Sequence, residues 1–231
     1  MRHKTFTTGI IAALLASGAL VSCSTSTGED AGAGEPTAAA SQAAPQLSQE
    51  ERSEKLVPEG ARTLSDPADA EATLVLFTDY QCPYCSAMDD VMERVEADYG
   101  DQVRVVVRNF PLPKHSGAVP AAQAVEAAAE QGQMEEMSDL VFENQKEWSR
   151  DGADTAELFT GYAKSLGLDT EQFQEDMTSQ EIADRVSGDA ADARDLGLRG
   201  TPTLVLDDQI LTVNPSDYST LSEPLDQELA G

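Results

Sequence analysis

An α/β domain, with a block of helices set between two parts of one sheet, is predicted by three features of the chain. Two β-branched, apolar runs, "TLVLFT" at 73–78 and "VRVVVR" at 103–108, suit buried strands. Between them, Ala87, Met88, Val91, Met92, Val95 and Tyr99 recur at three- and four-residue spacing, which puts them on one helical face. After a long helical stretch the pattern returns to strands in "TPTLVLDDQILTV".

Taken in order, the first helix starts near Tyr84 and stops at Gly100. "NFPLPKHSG" is a loop, and residues 118–147 read as two helices punctuated by Gly132. Further helix is expected over 154–166 and 169–196, with breaks at Gly167 and around 187–189. A turn at Asp207–Asp208 joins the last two strands. A final helix near 216–229 carries Tyr218, Leu221, Leu225 and Leu229 in period, with Pro224 as an irregularity. The strand over 103–108 and the last hairpin are expected to share one sheet.

The ends of the chain carry different information. "MRHKTFTTGIIAALLASGALVSC" has a basic start at Arg2 and Lys4, an apolar middle and small residues before Cys23, the zones of an export signal over residues 1–22. The apolar stretch is short for a membrane span, which needs about 20 strongly apolar residues. "LVSC" at 20–23 resembles a bacterial lipobox, which implies cleavage before Cys23 and lipid on its sulfur. The alternative is a soluble secreted form that discards Cys23 with the signal. Residues 23–62 are rich in Ser, Thr, Gly, Ala, Glu and Pro and are expected to form a disordered tether, leaving 63–231 as the folded domain.

With 15 Lys+Arg against 42 Asp+Glu, the formal net charge is −27. Nucleic acid is an unsuitable partner because phosphate binding needs clustered cations. No basic amphipathic stretch suits anionic lipid either. The acidic excess is spread along the chain and serves solvation.

Chemistry concentrates in "CPYC" at 82–85. A disulfide closing so short a loop constrains the unfolded chain by only about 2 kcal/mol, against nearly 5 for a 100-residue loop. Zinc wants four Cys or His ligands, and outside the signal the chain has only His115 and no second cysteine pair. No metal site is therefore expected. A reactive dithiol fits better. At the start of a helix, unpaired N–H groups and the helix dipole favour a thiolate on Cys82, lowering a pKa that is near 8.5 when unperturbed. Cys85, one turn further in, is placed to resolve a mixed disulfide on Cys82. Pro83 suits the first helical turn. Tyr84 either tunes the pair or covers the sulfur.

From "FTDYQCPYC", "RNFPLPKH", "FENQKEW", "LGLD" and "LGLRGTPTLVLDD", over about residues 70–213, the chain resembles the thioredoxin superfamily, and more closely the DsbA-like thiol–disulfide oxidoreductases of bacterial cell envelopes. The resemblance implies a thioredoxin-like fold with a helical insertion at about 114–197. It also implies a cis Pro202 lying against the active-site disulfide, with Thr201 offering its backbone to a substrate chain. Two departures stand out. Many relatives carry a buried acid six residues before the first cysteine, where this chain has Leu76. Asp79 either substitutes through water or is a solvated strand-end residue. "DDQIL" also replaces the usual Asn-Gly-like turn between the last strands. His115 is expected to be exposed or hydrogen-bonded in its loop, and Met134, Met137, Leu140, Val141 and Trp148 to pack the helical block.

The function implied is extracytoplasmic thiol–disulfide exchange, as an oxidase of exported proteins bearing free thiols. No cofactor is needed, and a membrane redox partner restores the disulfide. The rivals are a reductase or isomerase using the same pair, and a non-catalytic scaffold lipoprotein that binds exported partners.

Overall fold

The computed structural model describes residues 47–150 and 155–231; the signal segment and Cys23 lie outside them. Within this part of the chain, five strands form one sheet in the order β1-β3-β2-β4-β5. The central strand β2 (Ala72–Thr78) pairs in parallel with β3 (Val103–Asn109) and antiparallel with β4 (Thr203–Leu206). The edges are β1 (Arg62–Ser65), antiparallel to β3, and β5 (Gln209–Leu211), antiparallel to β4. The late hairpin therefore joins the same sheet as the early strands, through β2 and not through β3.

β2 is apolar on both faces because it is covered on both. Leu74 and Leu76 pack with Met88, Met92 and Val95 of α2 (Pro83–Tyr99) and with Leu221 and Leu225 of α9 (Ser219–Leu229). Val75 and Phe77 face the other way, onto Val106, Ala190, Ala193 and Leu56. The hairpin turn closes with Asp207 in the left-handed region at φ 51°, a conformation a short polar side chain tolerates. Asp207 is held by exchange with Thr73: its N–H donates to Thr73 O at 2.8 Å, and its Oδ1 accepts from Thr73 N–H at 3.0 Å.

Between β3 and β4 the chain forms α3 (Ala118–Ala129), α4 (Met134–Glu143), α5 (Gln145–Trp148), α6 (Thr155–Ser165), α7 (Thr170–Met177) and α8 (Gln180–Asp195). Their core holds Met137, Val141, Trp148, Phe159 and Phe173, together with both cysteines of the tetrapeptide. The redox pair thus lies where the helical block meets the sheet.

Two differences from the sequence reading have physical causes. The expected break at 187–189 is absent: α8 runs through Ser187, Gly188 and Asp189, and the interruption falls at Ser179, whose hydroxyl caps the helix by accepting from Ile182 N–H at 3.2 Å. Asp189 holds the helix in place, its carboxylate meeting Arg108 Nε at 2.8 Å and Asn109 N–H at 2.9 Å. The second difference concerns the expected tether, which reached residue 62. Residues 49–56 form a helix instead, α1 (Gln49–Leu56), opened by a reciprocal capping box between Ser48 and Glu51. Buried Arg108 donates to the carbonyls of Lys55 and Leu56 and pairs with Asp192 at 2.8 Å, which ties α1 to β3 and α8.

Candidate active site

β2 ends at Thr78, and the following four residues turn the chain into α2. Cys82 is the helix N-cap, with extended backbone (φ −79°, ψ 121°), and Pro83 occupies the first helical turn, where its missing N–H leaves no bond unmade. Cys82 and Cys85 are both free thiols and nearly buried, at 4% and 2% exposure. Tyr84 between them is 71% exposed.

The late loop faces the outer sulfur. The Thr201–Pro202 peptide is cis, and the Cys82 thiol donates to Thr201 O at 3.4 Å. Two points 119 residues apart in the chain thus meet at the sulfur. The Thr201 hydroxyl is buried without an oxygen or nitrogen partner among the described residues.

The two sulfurs ionise in opposite directions. Cys82 is lowered from 9.0 to about 5. The Cys85 thiol is the largest cause, followed among the favourable contacts by the Cys85 backbone N–H, the Thr201 side chain and the Tyr84 backbone N–H; partial burial opposes them. The backbone at the helix start contributes, but the neighbouring thiol contributes more. Cys85 is pushed far up, first by burial and then by the Cys82 sulfur beside it.

The loop before the motif is fastened by residues whose importance the sequence reading missed. Asp79 is 1% exposed and is not a solvated strand-end residue. Its Oδ1 accepts from Gln81 N–H at 2.8 Å, and its Oδ2 accepts from Leu112 N–H at 2.8 Å and lies 2.7 Å from His115 Nδ1. Its backbone N–H donates to Cys85 Sγ at 3.4 Å. His115 is therefore a hydrogen-bonded loop residue that clamps 110–117 against the end of β2.

Gln145, 8% exposed, donates to Tyr80 O at 2.7 Å and to Cys82 O at 3.1 Å, so the helical block grips the active-site backbone directly. Gln81 accepts from Gly117 N–H at 2.6 Å and donates to Ser149 O at 3.2 Å. A side chain at Gly117 would come 3.1 Å from the Trp148 ring and 3.2 Å from Gln81 Oε1, which is why glycine suits that point. The only sequence signal for Gln145 was its place inside "FENQKEW". Asp79 stood beside the motif, but its partners come from a loop over thirty residues on, which no local pattern discloses. Leu76, where relatives carry an acid, is 6% exposed and packs in the sheet core.

Among the described residues, no group of three or more His, Cys, Asp or Glu is arranged to hold a metal ion. No helix there is long and apolar enough to cross a membrane.

A strand–turn–helix bearing two cysteines, faced by a cis-proline loop, defines a thioredoxin-type dithiol protein. A family model described as thioredoxin matches residues 67–227. Among solved structures, the chain is similar to oxidised BdbD from Bacillus subtilis, at 26% identity over 74% of this chain and 94% of that one, with a TM-score of 0.64. It is similar also to a thioredoxin-like oxidoreductase from Silicibacter pomeroyi DSS-3, at 32% identity over 77% and 98% of the two chains and a TM-score of 0.61. The catalytic domain of ScsC from Proteus mirabilis aligns at 25% identity over 79% and 99%, with a TM-score of 0.63. The chain belongs to the thioredoxin family.

Curated relatives include an Na(+)/H(+) antiporter NhaA 1 of Mycolicibacterium gilvum, 41% identical over 141 residues. That match takes in 59% of this chain, and the chain spans about a fifth of the relative's length, 22%.

Proposed function

We propose that this chain is an exported thiol–disulfide oxidase, anchored by lipid on Cys23, that introduces disulfides into other exported proteins through Cys82 and Cys85. The observation that carries the reading is the placement of the two sulfurs: Cys82 at the start of α2 and 3.4 Å from the carbonyl before cis Pro202, Cys85 one turn inside. That asymmetry drives their ionisation apart. A substrate thiolate attacks Cys82 Sγ in the oxidised pair. The Cys82–Cys85 bond breaks, a mixed disulfide forms on Cys82, and the electron pair leaves on Cys85. A second substrate thiolate then attacks the substrate sulfur of that mixed disulfide, closing the substrate's own disulfide and releasing Cys82 as a thiolate. Two electrons have passed from substrate to dithiol, and a membrane redox partner removes them to restore the disulfide.

Thr201 and Pro202 are the residues against which a substrate backbone docks. They line a shallow groove with Ile210, which is 56% exposed. Cys82 is the sulfur attacked because it faces the cis-proline loop, and its stable thiolate makes it the good leaving group in the second step. Cys85 leaves as a thiolate and then takes up a proton.

The oxidising direction is supported by the same asymmetry. Whatever stabilises the thiolate stabilises the reduced form, and so raises the reduction potential. A thiolate pKa near 5 instead of near 7 is worth about 50 mV at neutral pH, above the roughly −270 mV of thioredoxin. The deciding experiment measures the potential of the purified protein and asks whether its oxidised form converts a reduced, unfolded protein to disulfide-bonded product. A potential some tens of millivolts above −270 mV with net disulfide formation is the expected result. A potential at or below that value, with net reduction, assigns the chain to the reductases instead. Anchoring is tested separately: Cys23→Ser abolishes incorporation of labelled fatty acid and releases the protein from membranes.

A further inference from the structure

Behind the inner sulfur lies a cavity of about 280 Å³, bounded by the sheet, α2 and α4 and lined by Cys85 and Leu76. It has no lysine or arginine in its wall and five carboxylates: Asp89, Glu93 and Glu96 from α2, and Glu135 and Asp139 from α4. Asp89 follows Cys85 by four residues in the same helix, so both side chains project from one face into the same space. Ser138 of α4 and buried Tyr80 line the same cavity as Asp89. Tyr80 in turn feels the charges of Asp89 and Cys85.

We propose that Asp89 is the proton carrier for Cys85, filling from the helix the role that Leu76 leaves open on the strand. The proposal rests on the reading of Cys82 and Cys85 as the redox pair. When a substrate thiolate opens the Cys82–Cys85 disulfide, Cys85 leaves as a thiolate and the Asp89 carboxylic acid donates its proton to that sulfur, ending as carboxylate. In the reverse step Asp89 carboxylate takes the proton from Cys85. The new thiolate attacks Cys82 Sγ, the mixed disulfide breaks, and the partner departs as thiolate. The gap between the two groups is spanned by water, which a polar cavity of this size admits.

Three observations favour Asp89 over other acids. A buried thiol held neutral needs a nearby group that exchanges protons near neutral pH. Burial, followed by the charges of Asp139, Glu93 and Asp90, raises Asp89 from 3.8 to about 7, with the Ser138 contact acting in the opposite sense. Asp79, on the other side of the motif, has both carboxylate oxygens committed to Gln81, Leu112 and His115, and only its backbone N–H points at Cys85 Sγ.

The test follows the reduced full-length protein reacting with glutathione disulfide, quenched in acid and resolved by mass spectrometry between pH 5 and 9. Cys82 forms the glutathione adduct and Cys85 resolves it, so the two steps are read separately. Expected for the unaltered protein is a resolution rate that climbs through a midpoint near 7. Asp89→Asn forms the adduct at an unchanged rate, resolves it about 10²-fold more slowly at pH 7, and shows its midpoint moved upward. Asp89→Glu, which keeps a carboxyl in the cavity, restores the neutral limb. Resolution by Asp89→Asn at the original rate with an unmoved midpoint overturns the assignment, as does an Asp89→Glu variant no faster than Asp89→Asn. If the unaltered protein forms no adduct on Cys82, the redox-pair reading itself fails, and this inference with it.

Discussion

Cys82 and Cys85 are the same residue type, one helical turn apart, yet their surroundings drive them in opposite directions. Cys82 sits at the helix start beside the cis-proline loop, where the Cys85 thiol and the surrounding backbone lower its pKa. Cys85 sits one turn inside, between the apolar core and an acid-lined cavity, where a negative charge meets burial and a neighbouring sulfur. A helix N-terminus alone does not make a reactive thiol pair. The difference comes from where each sulfur stands: Cys82 at the helix start facing the cis-proline loop, Cys85 one turn inside and buried beside a sulfur that takes the charge.

The largest effect expected from breaking this asymmetry is loss of chemistry. Cys82→Ser removes the attacking sulfur and lowers exchange activity by more than about 10³-fold. Cys85→Ser keeps the attacking sulfur and accumulates mixed disulfide on Cys82, detectable by non-reducing electrophoresis. In the reduced, unaltered protein, Cys82 is depressed, so its thiolate is present above the folded pKa and lost as pH falls through about 5. Alkylation by iodoacetamide therefore rises from pH 4 and levels off above about 6 at Cys82. Cys85 stays unlabelled throughout. Equal labelling of both thiols at pH 7 would contradict the asymmetry.

A second change tests whether the site depends on the far side of the sheet. Arg108 is 1% exposed, paired with Asp189 and Asp192, and also donates to two carbonyls near the end of α1. Arg108→Met takes the guanidinium from both carboxylates, leaving Asp189 only Asn109 and Asp192 only Lys55, and is expected to destabilise the fold by about 3–5 kcal/mol in urea titration. Because the network lies on the face of the sheet opposite α2, the Cys82 alkylation midpoint should stay near 5. A midpoint shifted by a unit or more would mean that the sheet transmits strain to the helix start.

The sheet core and the tetrapeptide were legible because their signals are local. "TLVLFT" and "VRVVVR" carry their burial in composition, and "CPYC" carries its chemistry in spacing. The late proline became legible only through resemblance. What escaped reading is held together by contacts distant in sequence. "QEERSEKL" has one apolar residue, Leu56, and resembles a solvated tether; it joins the domain because Arg108, Asp192 and Asp195 reach it from β3 and from the end of α8. β1 has four residues with Leu64 as its lone strongly apolar one, too few for a period to show, and exists because β3 has an edge to pair. Asp79 reads as a polar strand end until the 110–117 loop folds back over it. Asp89 reads as one more surface acid of α2 until α4 closes the cavity around it.

The smallest expected effect comes from Gln145, and it separates fastening from ionisation. Gln145 Nε2 donates to two carbonyls, Tyr80 O and Cys82 O, on either side of the turn into α2. Gln145→Leu keeps the volume and removes both bonds, leaving Tyr80 O without its donor while Cys82 O keeps the N–H groups of Cys85 and Ser86, at an expected loss of about 1–3 kcal/mol. Hydrogen bonds to Cys82 O fix where the N-cap backbone sits, and therefore where its sulfur stands against the helix start and the Cys85 thiol. Freed of that hold, Cys82 should lose part of its thiolate stabilisation, and its alkylation midpoint should move up from about 5 towards the ordinary thiol range. Gln145→Glu keeps the acceptor oxygens but places a carboxylate against two carbonyls, so it should raise the midpoint further than leucine does. Loss of stability with an unmoved midpoint would show that the helical block supports the site only by packing, and that the asymmetry of the two sulfurs is set within α2 and the cis-proline loop alone.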